Sequence, residues 1–121
     1  MAHSPAFLGL IESVRSTVRD VSVEQTRARL RDNPAVQLVD VREDSEWSAG
    51  HAAGALHLGK GVIERDIEAR IPDKDAEIIL YCGGGFRSVL AADAIQKMGY
   101  TNVASMAGGW REWKAGGAPV E

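Results

Sequence analysis

The chain is 121 residues long, 45% hydrophobic and 26% charged, which suits one globular domain with its own core and leaves little room for two. Its net charge of −3 gives no electrostatic argument for nucleic acid or an acidic membrane surface, and no apolar run is long enough to span a bilayer. A single cysteine excludes an internal disulfide and suits a reducing compartment, so the expected location is cytoplasmic.

The opening Met1-Ala2-His3-Ser4-Pro5 lacks the basic region and long apolar stretch of a secretion signal. A helix is expected from Pro5 to about Val18, within an N-terminal helical extension over residues 1–20. Ser4 is its N-cap, Pro5 its first helical residue, and Phe7, Ile11, Val14 and Val18 recur on one face. The plain reading packs this helix on the outside of a sheet; the sharper one makes it a partner-docking or dimerising helix. Val21 opens a first strand. Ser22 and Gln25 have the form of a capping box, starting a helix that Asn33-Pro34 stops. Its arginines, Arg27, Arg29 and Arg31, read as a solvated face.

Val36 to Val41 is the second strand, and Asp44 is expected to cap a short helix that carries Trp47 and ends at Gly50. Asp40 and Arg42 fall at the carboxyl end of that strand, the end where sites form in open α/β sheets. His51 reads as a packing and hydrogen-bonding residue. One histidine with one cysteine makes no metal set, and no cofactor is implied. Ala55 to Leu58 should be a short strand, followed by the Gly59-Lys60-Gly61 loop and a helix with Ile63, Ile67 and Ile71 four apart. That loop could border a pocket, with Lys60 or Arg65 drawing in an anion. Pro72 to Asp75 is a surface turn.

Ile78-Ile79-Leu80-Tyr81 is apolar on both faces, as a central parallel strand is, and it runs into Cys82-Gly83-Gly84-Gly85-Phe86-Arg87-Ser88. Strand, glycine-rich turn and helix start build an anion cradle, with backbone N–H groups pointing inward and the helix dipole adding positive charge. A thiol at its floor is expected to favour the reactive thiolate. Arg87 offers a planar fork of donors suited to an oxyanion. Four residues separate Cys82 from Arg87. Cysteine-based phosphatases use a ring one residue longer, which fits a phosphoryl group above the sulfur. The shorter ring fits one extra sulfur atom, at an S–S bond of about 2.05 Å. An inert buried thiol is the competing reading. Three consecutive glycines and an arginine weigh against it.

Beyond the loop, Ala91, Ile95 and Met98 mark the buried face of a helix that ends at Gly99. Asn102 to Met106 is the last strand. Gly108-Gly109 opens a short helix whose Trp110 and Trp113 read as core residues. The elements add up to an α/β fold: one domain with an about five-stranded, mostly parallel sheet and helices on both faces.

Cys82 to Ser88 resembles the active-site loop of the rhodanese family of sulfurtransferases. Three further segments match in the family's order: Leu38 to Glu43 with Glu46-Trp47, Gly50 to Ala55, and Gly108-Gly109-Trp110 with Trp113 before Gly117-Ala118-Pro119-Val120. The resemblance implies a rhodanese-like domain over residues 21–121. It implies sulfane sulfur moved from thiosulfate or a similar donor to cyanide or a thiol through a persulfide on Cys82. In that scheme Gly83, Gly84, Gly85, Phe86 and Ser88 bind the substrate and Arg87 neutralises its oxyanion. Asp40 braces the loop, and Arg42 pairs with an acid such as Glu46. The expected partners are a small sulfur-containing anion, a thiol acceptor and, in a carrier role, a protein persulfide donor or acceptor. A catalytically silent interaction module is the third class of function.

Overall fold

The computed structural model describes residues 3–121; Met1 and Ala2, the first two residues of the expected extension, lie outside the described residues. Helix α1 (Pro5–Arg15) starts as expected, with Phe7 N–H donating to the Ser4 hydroxyl and proline in the first turn. It ends before Val18. Thr17 turns its hydroxyl and its amide onto the Val14 carbonyl, closing the helix with a tighter turn that still delivers Val18 to the core.

Strand β1 (Arg19–Val21) leads into α2 (Val23–Asp32), where Ser22 and Gln25 form the capping box reciprocally. Val21 closes the first strand rather than opening it. Strand β2 (Gln37–Asp40) is followed by α3 (Asp44–Ala49), which is capped by Glu43 and not by Asp44. The Glu43 backbone is extended there and its N–H donates to the Glu46 carboxylate, so Asp44 falls inside the first turn. Next come β3 (Leu56–His57), α4 (Ile63–Arg70), β4 (Ile78–Tyr81), α5 (Arg87–Lys97), β5 (Val103–Met106) and α6 (Gly109–Ala115).

The five strands form one all-parallel sheet in the order β1-β5-β4-β2-β3, with β4 in the middle. The alternation of a strand then divides the core. Ile78, Leu80 and Cys82 face one layer with Ile11 of α1, Ile63 and Ile67 of α4, and Ala91, Ala92 and Ile95 of α5. Ile79 and Tyr81 face the other, with Leu38, Met106 and Trp113 of α6. Every residue of β4 is buried, which is why it reads as apolar throughout. Outside the sheet, Ala52 and Val120 form an isolated antiparallel bridge that ties the C-terminal segment beside α3. His51 stacks on Trp47 with centroids 3.4 Å apart and its Nδ1 lies 3.1 Å from the Trp47 carbonyl, the packing role expected of it.

Candidate active site

Strand β4 carries Cys82 out of the centre of the sheet, and the chain turns at once through three glycines into α5. At Gly85 the turn needs a φ of +101°, and a side chain there would press on the Gly108 backbone at 3.2 Å. The turn brings the Gly85 N–H to 3.1 Å from Cys82 Sγ. Among the described residues it is the one backbone amide hydrogen-bonded to that sulfur. On the other side Sγ lies 3.6 Å from the Ser88 hydroxyl, which is itself 2.7 Å from the hydroxyl of Ser105 on β5. Both serines are fully buried, and the pair fixes the first turn of α5 against the sheet.

Helix α6 holds the loop from outside. Trp110 N–H donates to the Cys82 carbonyl at 2.8 Å and Arg111 N–H to the Gly83 carbonyl at 3.1 Å. The approach is so close that a methyl group on Gly109 would collide with the Cys82 carbonyl oxygen. Cys82 is 1% exposed and forms part of the floor of a cavity of about 670 Å³. The cavity is lined by the loop, by Glu46 and Arg87, by His3 and Phe7, and by Trp110, Arg111 and Lys114.

The charged residues pair differently from the expectation. Arg87 grips Glu46 with both ends of its guanidinium, at 2.8 and 3.0 Å. That hydrogen bonding holds the Glu46 carboxyl down at about 2, and it raises Arg87 further, with Cys82 adding to the effect after Glu46. Arg42 does not pair with Glu46. It is buried against Asp40, with contacts of 2.7 to 3.0 Å, and it donates to the Gly50 carbonyl at 2.7 Å. Burial works hardest against its charge, but the Asp40 hydrogen bond and charge outweigh it and leave Arg42 raised. Its guanidinium also lies over the Trp110 ring, 4.8 Å from the centroid.

Asp40 reaches the loop indirectly, accepting from the Tyr81 hydroxyl at 2.7 Å one residue before Cys82. Burial first, then that bond, pushes the Tyr81 hydroxyl well above its usual range, so it stays protonated as the donor.

The sequence profile of the rhodanese-like domain matches residues 22–116. The chain belongs to the rhodanese-like family. The chain is 32% identical over 99 residues to the thiosulfate sulfurtransferase GlpE of Pseudomonas aeruginosa (strain LESB58), covering 82% of this chain and 86% of that one. It is 29% identical over 98 residues to YrkF of Bacillus subtilis (strain 168), named as a candidate sulfur carrier protein; the match covers 81% of this chain but only about half, 52%, of YrkF. Among solved structures, RPA3614 of Rhodopseudomonas palustris CGA009 superimposes with a TM-score of 0.88 at 25% identity, over 100% of this chain and 98% of its own. That protein is of unknown function, with tyrosine phosphatase given as a possible activity.

Within this rhodanese-like chain the fold gathers Cys82, Gly83, Gly84, Phe86 and Arg87 around one cavity. Gly85 and the fully buried Ser88, both expected to bind the substrate, contact Sγ without lining the cavity, and Asp40 and Arg42 are buried. It does not bring Lys60 or Arg65 there. Those two line a separate depression with Arg42, Glu43 and Gly59, and Arg65 is paired with Asp66 at 2.7 Å. Trp113 is core as expected, whereas its neighbour Trp110 is half-buried and forms a wall of the cavity. Sequence reasoning missed Arg111, Lys114 and Ser105, and the use of Phe7 and His3 as cavity wall. Arg111 and Lys114 are three apart on one turn of helix, a spacing that marks a shared face but not what the face overlooks.

Proposed function

We propose that this chain is a sulfurtransferase working through a persulfide on Cys82. The Cys82 thiolate attacks the outer sulfur of thiosulfate or a related donor. A new S–S bond forms, the donor's S–S bond breaks, and sulfite leaves with the electron pair. A thiophilic acceptor, cyanide in an assay or a thiol in the cell, then takes the outer sulfur and regenerates the thiolate. This is covalent catalysis, and ping-pong kinetics are expected. The observation that carries the reading is the seating of Sγ: in a ring of four residues closed by Arg87, with the Gly85 N–H 3.1 Å away and a cavity above. The loop amides act as an oxyanion-hole-like cradle for the anionic outer sulfur, and Arg87 attracts the donor's oxyanion. The ring is too short to enclose a phosphoryl group, which argues against phosphatase chemistry.

A second reading is favoured by the Arg87–Glu46 fork. An arginine already neutralised by a carboxylate offers less to a dianion, so thiosulfate turnover would be slow. The chain would then act as a carrier, receiving its sulfur from a protein persulfide. Steady-state transfer from thiosulfate to cyanide tests the first reading. It predicts parallel double-reciprocal lines and no turnover in a folded Cys82→Ser variant; transfer retained without Cys82 contradicts both readings. Slow thiosulfate turnover with fast loading from a persulfidated protein selects the carrier. Aryl phosphate hydrolysis that depends on Cys82 contradicts the ring-size argument.

A further inference from the structure

The cavity over Cys82 is larger than thiosulfate needs. At about 670 Å³ it lies in the range of about 300–1,000 Å³ typical of sites for organic ligands, not of a five-atom anion. One wall is aromatic. Phe86 of the loop meets Phe7 of α1 with centroids 6.4 Å apart and His3 at 4.8 Å, and the Trp110 ring lines the cavity as well.

Among the described residues the charges in the lining are unequal: three cations, Arg87, Arg111 and Lys114, against the single carboxylate of Glu46. Arg87 and Glu46 satisfy each other. Among the described residues Arg111 and Lys114 form no salt bridge. Arg111 leans over the loop, with Nη2 3.9 Å from where a Gly84 side chain would begin, and the Lys114 ammonium lies 5.2 Å from the Trp110 ring centroid. Two cations without a carboxylate partner among the described residues, next to an apolar surface and one loop away from the thiol, are placed to hold an acid group that is not itself reacting.

We propose that Arg111 and Lys114 receive a remote carboxylate or sulfonate on an organic sulfane-sulfur donor, whose apolar body lies against Phe86, Phe7 and Trp110. This rests on the reading of Cys82 as the persulfide-forming nucleophile. With an organic thiosulfonate as donor the step balances without oxidant or proton. Cys82 Sγ bonds to the outer sulfur, the bond from that sulfur to the sulfonyl group breaks, and the organic sulfinate departs with the electron pair.

The test compares benzenethiosulfonate with 4-carboxybenzenethiosulfonate, at saturating cyanide. In the native protein the added carboxylate should lower KM about fivefold with kcat little changed, and the difference should shrink as salt rises. The Arg111→Ala, Lys114→Ala double variant should bring the two KM values together, while Arg111→Lys should retain most of the difference. Equal KM values in the native protein, or a preference that survives in the double variant, overturn the proposal. If neither organic donor leaves a persulfide on Cys82 while thiosulfate or a protein persulfide does, this inference is overturned and the reading of Cys82 stands. If none of them loads Cys82, that reading has failed and this inference falls with it. A persulfide formed equally well from both donors strikes the docking point alone.

Discussion

Glu46 is the carboxylate that neutralises the Arg87 guanidinium. Its carboxyl is held at about 2 by the Arg87 hydrogen bonds, against an ordinary value of 4.5. A carboxyl depressed on folding stabilises the native state above its unfolded value and loses that contribution as it protonates. The Arg87–Glu46 contribution is therefore complete above about pH 4.5 and fades as the pH falls towards about 2. Chemical denaturation across that window should show Glu46→Gln flattening the acid limb; an unchanged limb would mean the pair adds nothing. The same variant leaves Arg87 free to meet an anion, so thiosulfate kcat/KM should rise. A fall would show that Arg87 serves the loop's shape and not the donor. Tyr81→Phe tests the support beneath. The Tyr81 hydroxyl accepts from the Ala52 N–H at 3.0 Å and donates to Asp40, all three being buried. Its loss leaves a buried N–H without a partner and should cost about 1–3 kcal/mol in urea unfolding. No cost would show that the site relaxes around the missing oxygen.

At the level of elements, the site is a junction between β4, α5 and α6. Gly109 has φ +51° and packs directly on the Cys82 carbonyl. Gly109→Ala should destabilise the protein by about 1–3 kcal/mol, since the clash is with backbone that cannot rotate away. It should also slow persulfide formation by displacing the loop. Stability lost without any effect on loading would separate α6 from the chemistry. The loop itself was legible because its parts are contiguous: an apolar strand, three glycines, an arginine and a helix. The ion pairs were less so. Asp40 ends β2 and Arg42 lies in the bend just after it, where its N–H donates to the Asp40 carboxylate at 2.8 Å, and an aspartate two residues before an arginine at a strand end could have paired them. The resemblance implied Glu46 as a partner for Arg42, whereas the actual partner of Glu46, Arg87, is 41 residues away and reachable only once β4 lies beside β2. Arg111 was hidden for the same reason, since its place over Gly84 depends on α6 docking against the loop.

Across the whole molecule, the pattern of apolar residues was enough for the α/β class and the central position of β4, because burial on both faces makes Ile78-Ile79-Leu80-Tyr81 apolar throughout, whereas β5, equally buried, carries Ser105 within its run. The limits of short elements were less readable. α1 stopped at a side-chain hydrogen bond from Thr17, and α3 began one residue early at Glu43, both set by local competition for backbone groups. The sheet presents Cys82 at the carboxyl end of its middle strand, where α5 starts and the helix dipole points at an arriving anion. Helix α1, packed on α5, brings Phe7 to the cavity rim. The central claim is that this arrangement exists to carry one sulfur atom on Cys82. Intact mass of the protein after incubation with thiosulfate, and again after dithiothreitol, tests it most directly. The account predicts a gain of one sulfur that reductant removes and that Cys82→Ser never acquires. No gain from thiosulfate or from a protein persulfide, or an equal gain in Cys82→Ser, would contradict it.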